Sequence, residues 1–226
     1  MKTAIVLGGS RGIGKAIADS LKSIGCDVVA TSKNDLDTSS LESVHRFAEK
    51  YKQADILVLN TGGPEPKDFF SVTEDVWKHY HNQLFLGFCM LLNWLQINDN
   101  GYIFLISSNV IKEPAPALVV SSAYRSAFSS VFKILSKEFA SRQISCINIA
   151  PGPIDTDRTK ELIDDVEAFA KTLPMKRLGK PEEIGNFVKS IVENDIKYLS
   201  GVVINFFLFP KNIQHFLCTI ATGIYR

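Results

Sequence analysis

The chain lacks a charge bias: 25 lysines and arginines stand against 24 aspartates and glutamates, leaving +1 over 226 residues. Such balance offers a phosphate backbone or an anionic membrane little to attract, so neither nucleic acid nor membrane is an expected partner. Cysteine is scarce as well. Cys26, Cys89, Cys146 and Cys218 form no CxxC pair and no metal-ligand spacing. That argues against a thiolate metal site and a disulfide framework, and it predicts free thiols in a reducing cytoplasm. Long apolar runs are missing too. The opening MKTAIVLGG ends in glycines and suits a first strand better than a signal-peptide core. The apolar stretch from Val202 onward is broken by Pro210, Lys211, Asn212, Gln214 and His215, short of the ~18 residues a membrane span needs.

What remains is an ordinary globular composition, 46% hydrophobic and 22% charged, of a length that suits one core across residues 1–226. Short, nearly all-apolar runs recur at 3–9, 27–31, 55–60, 102–108, 144–150 and 201–207. They do not alternate, as expected of parallel strands buried on both faces. Between them, helical patterns fall near 12–24, 39–52, 73–97, 119–141, 158–172 and 181–193. The alternation predicts a doubly wound α/β sheet of the Rossmann type. The stretch SKNDLDTSS after the second run is too short to hold a further parallel strand with its crossover. The sheet is therefore expected to be shortened there, with DLDT adding at most a stub of edge pairing.

The first connection carries the chemistry. IVLGGSRGIGKAIADSL places Gly8, Gly12 and Gly14 between an apolar strand and an amphipathic helix. Glycines there permit a tight turn and close backbone approach, while the helix N-terminus presents free N–H groups to a pyrophosphate. Five segments together resemble the short-chain dehydrogenases/reductases. GGSRGIG is similar to that family's TGxxxGIG signature, with Leu7 where threonine is usual. LNTGG, with Asn60 and Gly62, resembles its NNAG motif, and ISS at 106–108 ends the strand that carries its catalytic serine. NIAPGPIDT, spanning Pro151, Gly152, Ile154 and Thr156, resembles the segment beside the nicotinamide. RLGKPEEIG at 177–185 resembles a further family stretch.

The resemblance implies a cofactor site at Gly8, Ser10, Arg11, Gly12, Ile13, Gly14, Asn60, Gly62, Pro151, Gly152, Ile154 and Thr156. After the second strand, Ser32 and Lys33 stand where NAD-preferring relatives place an aspartate, and Arg11 adds a second cation. This favours NADP(H), with NAD(H) as the alternative. Asp37 is positioned to accept from the adenine amino group, as the family implies.

The catalytic pair departs from the family. Counting thirteen residues from Ser108 reaches Ser121, where a tyrosine is usual, and four more reach Arg125, where a lysine is usual. The downstream RSAFSSVFKILSKEFA keeps the same register, and IKEPAPALVVSSAYR is similar to an atypical branch of the family. Arginine keeps a charge for the nicotinamide ribose but does not give up its proton, and serine is a far weaker acid than tyrosine. Tyr124, one helical turn from Ser121, is the candidate displaced acid or a packing residue, and a water held by Ser108 and Ser121 is the other candidate proton source. On the preceding helix the family's asparagine is blurred among Asn82, Gln83 and Leu84, and His79 and His81 read as solvated.

Two function classes follow: reduction of a small carbonyl compound (or the reverse, on an alcohol), or NADP(H) binding without turnover. A substrate lid is expected near 157–176, and an atypical tail at 206–226. Apolar helices at 73–97 and 119–141 favour a homodimer or homotetramer.

Overall fold

The computed structural model describes residues 1–208; the expected tail lies almost wholly outside the described residues. Six parallel strands form one sheet: β1 (Thr3–Val6), β2 (Asp27–Ala30), β3 (Gln53–Leu59), β4 (Gln96–Ile106), β5 (Ser145–Pro151) and β6 (Val202–Phe206). Their order is β2-β1-β3-β4-β5-β6. The sequence change of direction between β2 and β3 flanks β1, and a crevice opens at such a point. No strand forms at 35–38, so the sheet ends at β2 as the short connection requires.

The helices cover both faces. On one side lie α1 (Gly12–Ser23) and α8 (Pro181–Glu193). The α1 stripe of Gly14, Ile17, Ala18 and Leu21 recurs at helical spacing and is buried. It packs with Ile184, Val188, Ile191 and Val192 of α8 over Val6, Val58, Phe104 and Ile147. Pro181 starts α8 at a position that needs no N–H, and the Glu183 carboxylate accepts from the Lys180 backbone N–H at 2.7 Å.

On the other side lie α2 (Leu41–Tyr51), α4 (Gly87–Trp94) and α5 (Val119–Glu138). Val44, Phe47, Phe88, Leu91, Phe128 and Phe132 close that core over Leu57, Leu59, Ile103 and Leu105. Each such side chain contributes about 1.5–3 kcal/mol on leaving water. Strands sandwiched between two such layers need apolar residues throughout, which is why the sequence shows no alternation. β5 is buried at all seven positions.

The 73–97 pattern is not one continuous α-helix. α3 (Glu74–His81) runs into a π-turn at Asn82–Leu86 before α4. The lid region holds two short helices, α6 (Asp157–Leu162) and α7 (Val166–Thr172). Among the described residues no helix is long and apolar enough to cross a membrane. Cys146 is buried and free, its thiol pushed up to about 12 by that burial, while Cys26 and Cys89 are half-buried and free.

Candidate active site

A cleft of about 600 Å³ opens at the C-terminal ends of the strands. Its floor is the β1–α1 loop. Gly8 and Gly12 have φ of +58° and +54°, a left-handed conformation that glycine adopts without a Cβ penalty. At Gly14 the reason is space: a Cβ would lie 2.1 Å from the Gly8 carbonyl oxygen. The Asn60 amide donates to the Leu7 and Gly8 carbonyls at 3.1 and 3.4 Å, tying β3 to this loop. Arg11 caps α1 with no side-chain bond to the helix, and Gly12 and Ile13 line the cleft, so the first N–H groups of α1 are left to a ligand. Tight loop, glycine cradle and uncapped helix suit a dinucleotide pyrophosphate.

At the β2 end, Ser32, Lys33, Leu36, Asp37 and Thr38 line the cleft. The Ser32 hydroxyl and N–H both donate to Asp35, at 2.7 and 2.8 Å. These bonds hold the Asp35 carboxyl below its ordinary range. Lys33 lies 3.7 Å from Asp37. Burial works to raise Asp37, but hydrogen bonds from Ser39 and the charges of Lys33 and His79 prevail and lower it.

Arg125 reaches the cleft from α5. Its Nη1 donates to the Ile106 and Ser107 carbonyls at 3.2 and 3.3 Å, and its Nη2 to the Thr61 carbonyl at 3.1 Å. Its Nε donates to the Ser121 hydroxyl at 3.2 Å. Burial pulls the guanidinium down to about 10, which leaves it charged at neutral pH. One side chain thus joins the ends of β3 and β4 and places a cation in the cleft.

The segment after Thr156 crosses the far side. Thr156 caps α6, and a Cβ on Gly12 would sit 3.4 Å from its methyl group. Arg158 donates to Glu65 at 2.9 Å and to the Pro64 carbonyl at 3.1 Å, while Glu161 lies 3.9 Å from Arg11.

Of the residues singled out from sequence, Gly8, Ser10, Arg11, Gly12, Ile13, Ser32, Lys33, Asp37, Asn60, Gly62, Arg125 and Thr156 line one cleft. Others sit elsewhere. Gly14 lies behind the loop it permits. Pro151 ends β5 in the core, and Ile154 is 4% exposed. A Cβ on Gly152 would strike the Phe207 side chain at 2.5 Å. Ser108 is half-buried and caps a short turn, accepting from the Val110 N–H at 3.4 Å and donating to Asn109 at 3.2 Å. Ser121 is buried against Arg125. Tyr124 is outside the lining, its ring edge-on to Trp77 and His81 at centroid distances of 5.6 and 5.5 Å.

The structure adds Ser107, Gln83, Glu65, Arg158 and Glu161 to the lining. On the preceding helix, the Gln83 amide donates to Thr61 Oγ1 and the Gly62 carbonyl at 3.3 and 2.9 Å. Asn82 turns instead to the Ser39 carbonyl, and Leu84 is buried.

A short-chain dehydrogenase family model described as enoyl-(acyl carrier protein) reductase matches residues 37–206. The 3-oxoacyl-(acyl-carrier-protein) reductase FabG of Chlamydia trachomatis is 29% identical, covering 90% of this chain and 95% of its own. The Escherichia coli FabG is also 29% identical, covering 88% and 93%. A small-chain dehydrogenase solved in complex with NADPH superposes with a TM-score of 0.79 at 26% identity, covering 90% and 95%. BdcA, solved in complex with NADPH, shares the fold with a TM-score of 0.84 at 24% identity, covering 95% and 97%. With well over half of its residues under the family model, the chain belongs to the short-chain dehydrogenases/reductases, a family of NAD(P)-dependent oxidoreductases.

Proposed function

We propose that the protein binds NADP(H), with NAD(H) as a weaker alternative, and reduces a small carbonyl compound. The observation that carries this reading is Arg125, a charged group set in the same cleft as the glycine loop and the uncapped α1 N-terminus. When bound, the nicotinamide supplies the hydride. Gly8, Gly12 and Ile13 hold the pyrophosphate, Arg125 and Asn60 the nicotinamide ribose, and Thr156 the ring side. Arg11 and Lys33 face the 2′-phosphate. The related dehydrogenase solved with NADPH supports that choice.

Ser121 stands in the family's tyrosine slot and Arg125 in its lysine slot; the hydrogen bond between them, one turn apart on α5, supports this register. A proton then comes from water held by the Ser108 and Ser121 hydroxyls rather than from Tyr124, whose ring is packed by Trp77 and His81. General acids contribute ~10²–10⁴ in rate, so turnover is slow and not absent. Residues 1–226 act as one domain, the 157–176 segment as the substrate lid, and the protein works in the cytoplasm. Ile134 on α5 and Trp94 on α4, 59% and 39% exposed, support assembly through these helices into a homodimer or homotetramer, which sedimentation tests.

One observation favours a second reading, a cofactor-binding protein without turnover: the Ser121 hydroxyl is already engaged by Arg125 and Tyr124 is packed aside. NADPH consumption across a panel of carbonyl compounds separates the two. Tyr124→Phe should leave both NADPH binding and turnover within about twofold. Loss of turnover alone would return the acid role to Tyr124, and no turnover in wild type with any carbonyl would favour the binding protein.

A further inference from the structure

Asn148 is a primary amide at the centre of β5, 1% exposed, between Ile147 and Ile149. An amide there costs several kcal/mol unless its bonds are made. Its Oδ1 accepts from the Ser107 hydroxyl at 2.5 Å, and its Nδ2 donates to the Ser129 hydroxyl at 2.8 Å. Ser107 lines the cleft, and its carbonyl accepts from Arg125. Ser129 is one helical turn beyond Arg125 on α5. The bonds close a ring: Arg125 to the Ser107 backbone, Ser107 Oγ to Asn148, Asn148 to Ser129, and α5 back to Arg125.

We infer that Asn148 is a positioning residue that sets the rotation of α5, and with it the place of the Arg125 guanidinium in the cleft. The inference rests on the reading that Arg125 holds the nicotinamide ribose. An arginine head stands ~8 Å from its helix axis, so a ~10° rotation of α5 moves it by more than ~1 Å. A displacement of that size is enough to degrade a binding geometry. The apolar contacts of Phe128 and Phe132 resist sliding of α5 but fix rotation less sharply than directional hydrogen bonds. Asn148 anchors α5 from β5, while Arg125 grips β3 and β4, so three strands define one cation's position.

The test compares two probes on the full chain: NADPH, and adenosine 2′,5′-bisphosphate, which lacks the nicotinamide half. Asn148→Leu should weaken NADPH about tenfold while changing the bisphosphate less than about twofold, and it should add nothing in an Arg125→Ala background. Ser129→Ala, a milder change, should show the same pattern at about threefold and serves if the leucine variant does not fold. Equal losses for both probes, or full additivity with Arg125→Ala, would overturn the inference. If Arg125→Ala itself leaves NADPH affinity unchanged, the ribose reading fails first and takes this inference with it.

Discussion

Reversing the charge at Lys33 should convert the cofactor preference. Lys33 lines the β2 end of the cleft with its side chain 70% exposed, so its field is screened almost as in water. Two unit charges ~4 Å apart at that dielectric interact by ~1 kcal/mol, and a phosphate monoester carries nearly two charges. Removing the cation therefore costs NADPH about 2 kcal/mol, and the new carboxylate of Lys33→Asp adds up to about 1 kcal/mol of repulsion. The Asp37 carboxylate, 3.7 Å from Lys33, also loses its partner and joins that repulsion. NADH has no 2′-phosphate and should be unaffected or slightly favoured. The ratio of NADPH to NADH affinity should fall roughly 30- to 150-fold in 50 mM salt and much less in 1 M salt, where charges are screened beyond ~3 Å. Nicotinamide fluorescence titrations measure both affinities directly. A ratio that does not move, or that moves equally at both salt concentrations, would refute the assignment of Lys33 to the phosphate.

Gly14→Ala should be severely destabilising, by more than about 4 kcal/mol, because its Cβ would fall 2.1 Å from a backbone oxygen that cannot yield; thermal melts would show it, and a wild-type melting temperature would contradict the loop geometry. Arg177 donates to both Glu183 oxygens at 2.8 Å and, with the Lys180 N–H, holds that carboxyl down at about 2 against an ordinary 4.5. A depressed carboxyl stabilises the fold above its ordinary value and loses the contribution as pH falls towards about 2. Both side chains are about 40% exposed and screened by solvent, so Arg177→Ala should lower the urea midpoint only slightly at pH 7. Urea midpoints of variant and wild type should converge on acidification through the 4.5-to-2 window, and a gap that persists at pH 2 would argue for packing instead.

The parallel sheet and the glycine turn after β1 were legible in the sequence because each depends on neighbours in the chain. Apolar runs, glycine spacing and crossover length are all local quantities. Ser121 and Arg125 could be paired for the same reason, lying one turn apart on α5. Gln83 could not, since its partners Thr61 and Gly62 lie more than twenty residues back in the chain, beyond β3. The Ser107–Asn148–Ser129 chain was invisible because its members come from β4, β5 and α5. Arg158 and Glu65, 93 residues apart, meet only in the folded chain. Neighbouring serines also part company in a way the motif spacing does not show: the Ser107 hydroxyl turns inward to Asn148, while the Ser108 hydroxyl caps a short turn.

That π-turn has a consequence for how the helix tolerates change in length. An α-helix advances ~100° per residue, so the extra residue rotates everything after it by about that angle relative to α3. α3 buries none of its residues, whereas α4 buries Gly87, Phe88 and Leu91. Gly87 lies so close to the Thr38 carbonyl that a Cβ there would come within 2.1 Å of it. The turn thus acts as a gear between a segment facing solvent and one locked to the core, with Gln83 exposed to the cleft at the point of engagement. Substitutions at the exposed α3 positions Glu74, Asp75 and Lys78 are absorbed by solvent. Removing a single residue from 82–86 is different in kind, because it would turn Phe88 and Leu91 out of the core or Gln83 out of the cleft, and no side chain could satisfy both.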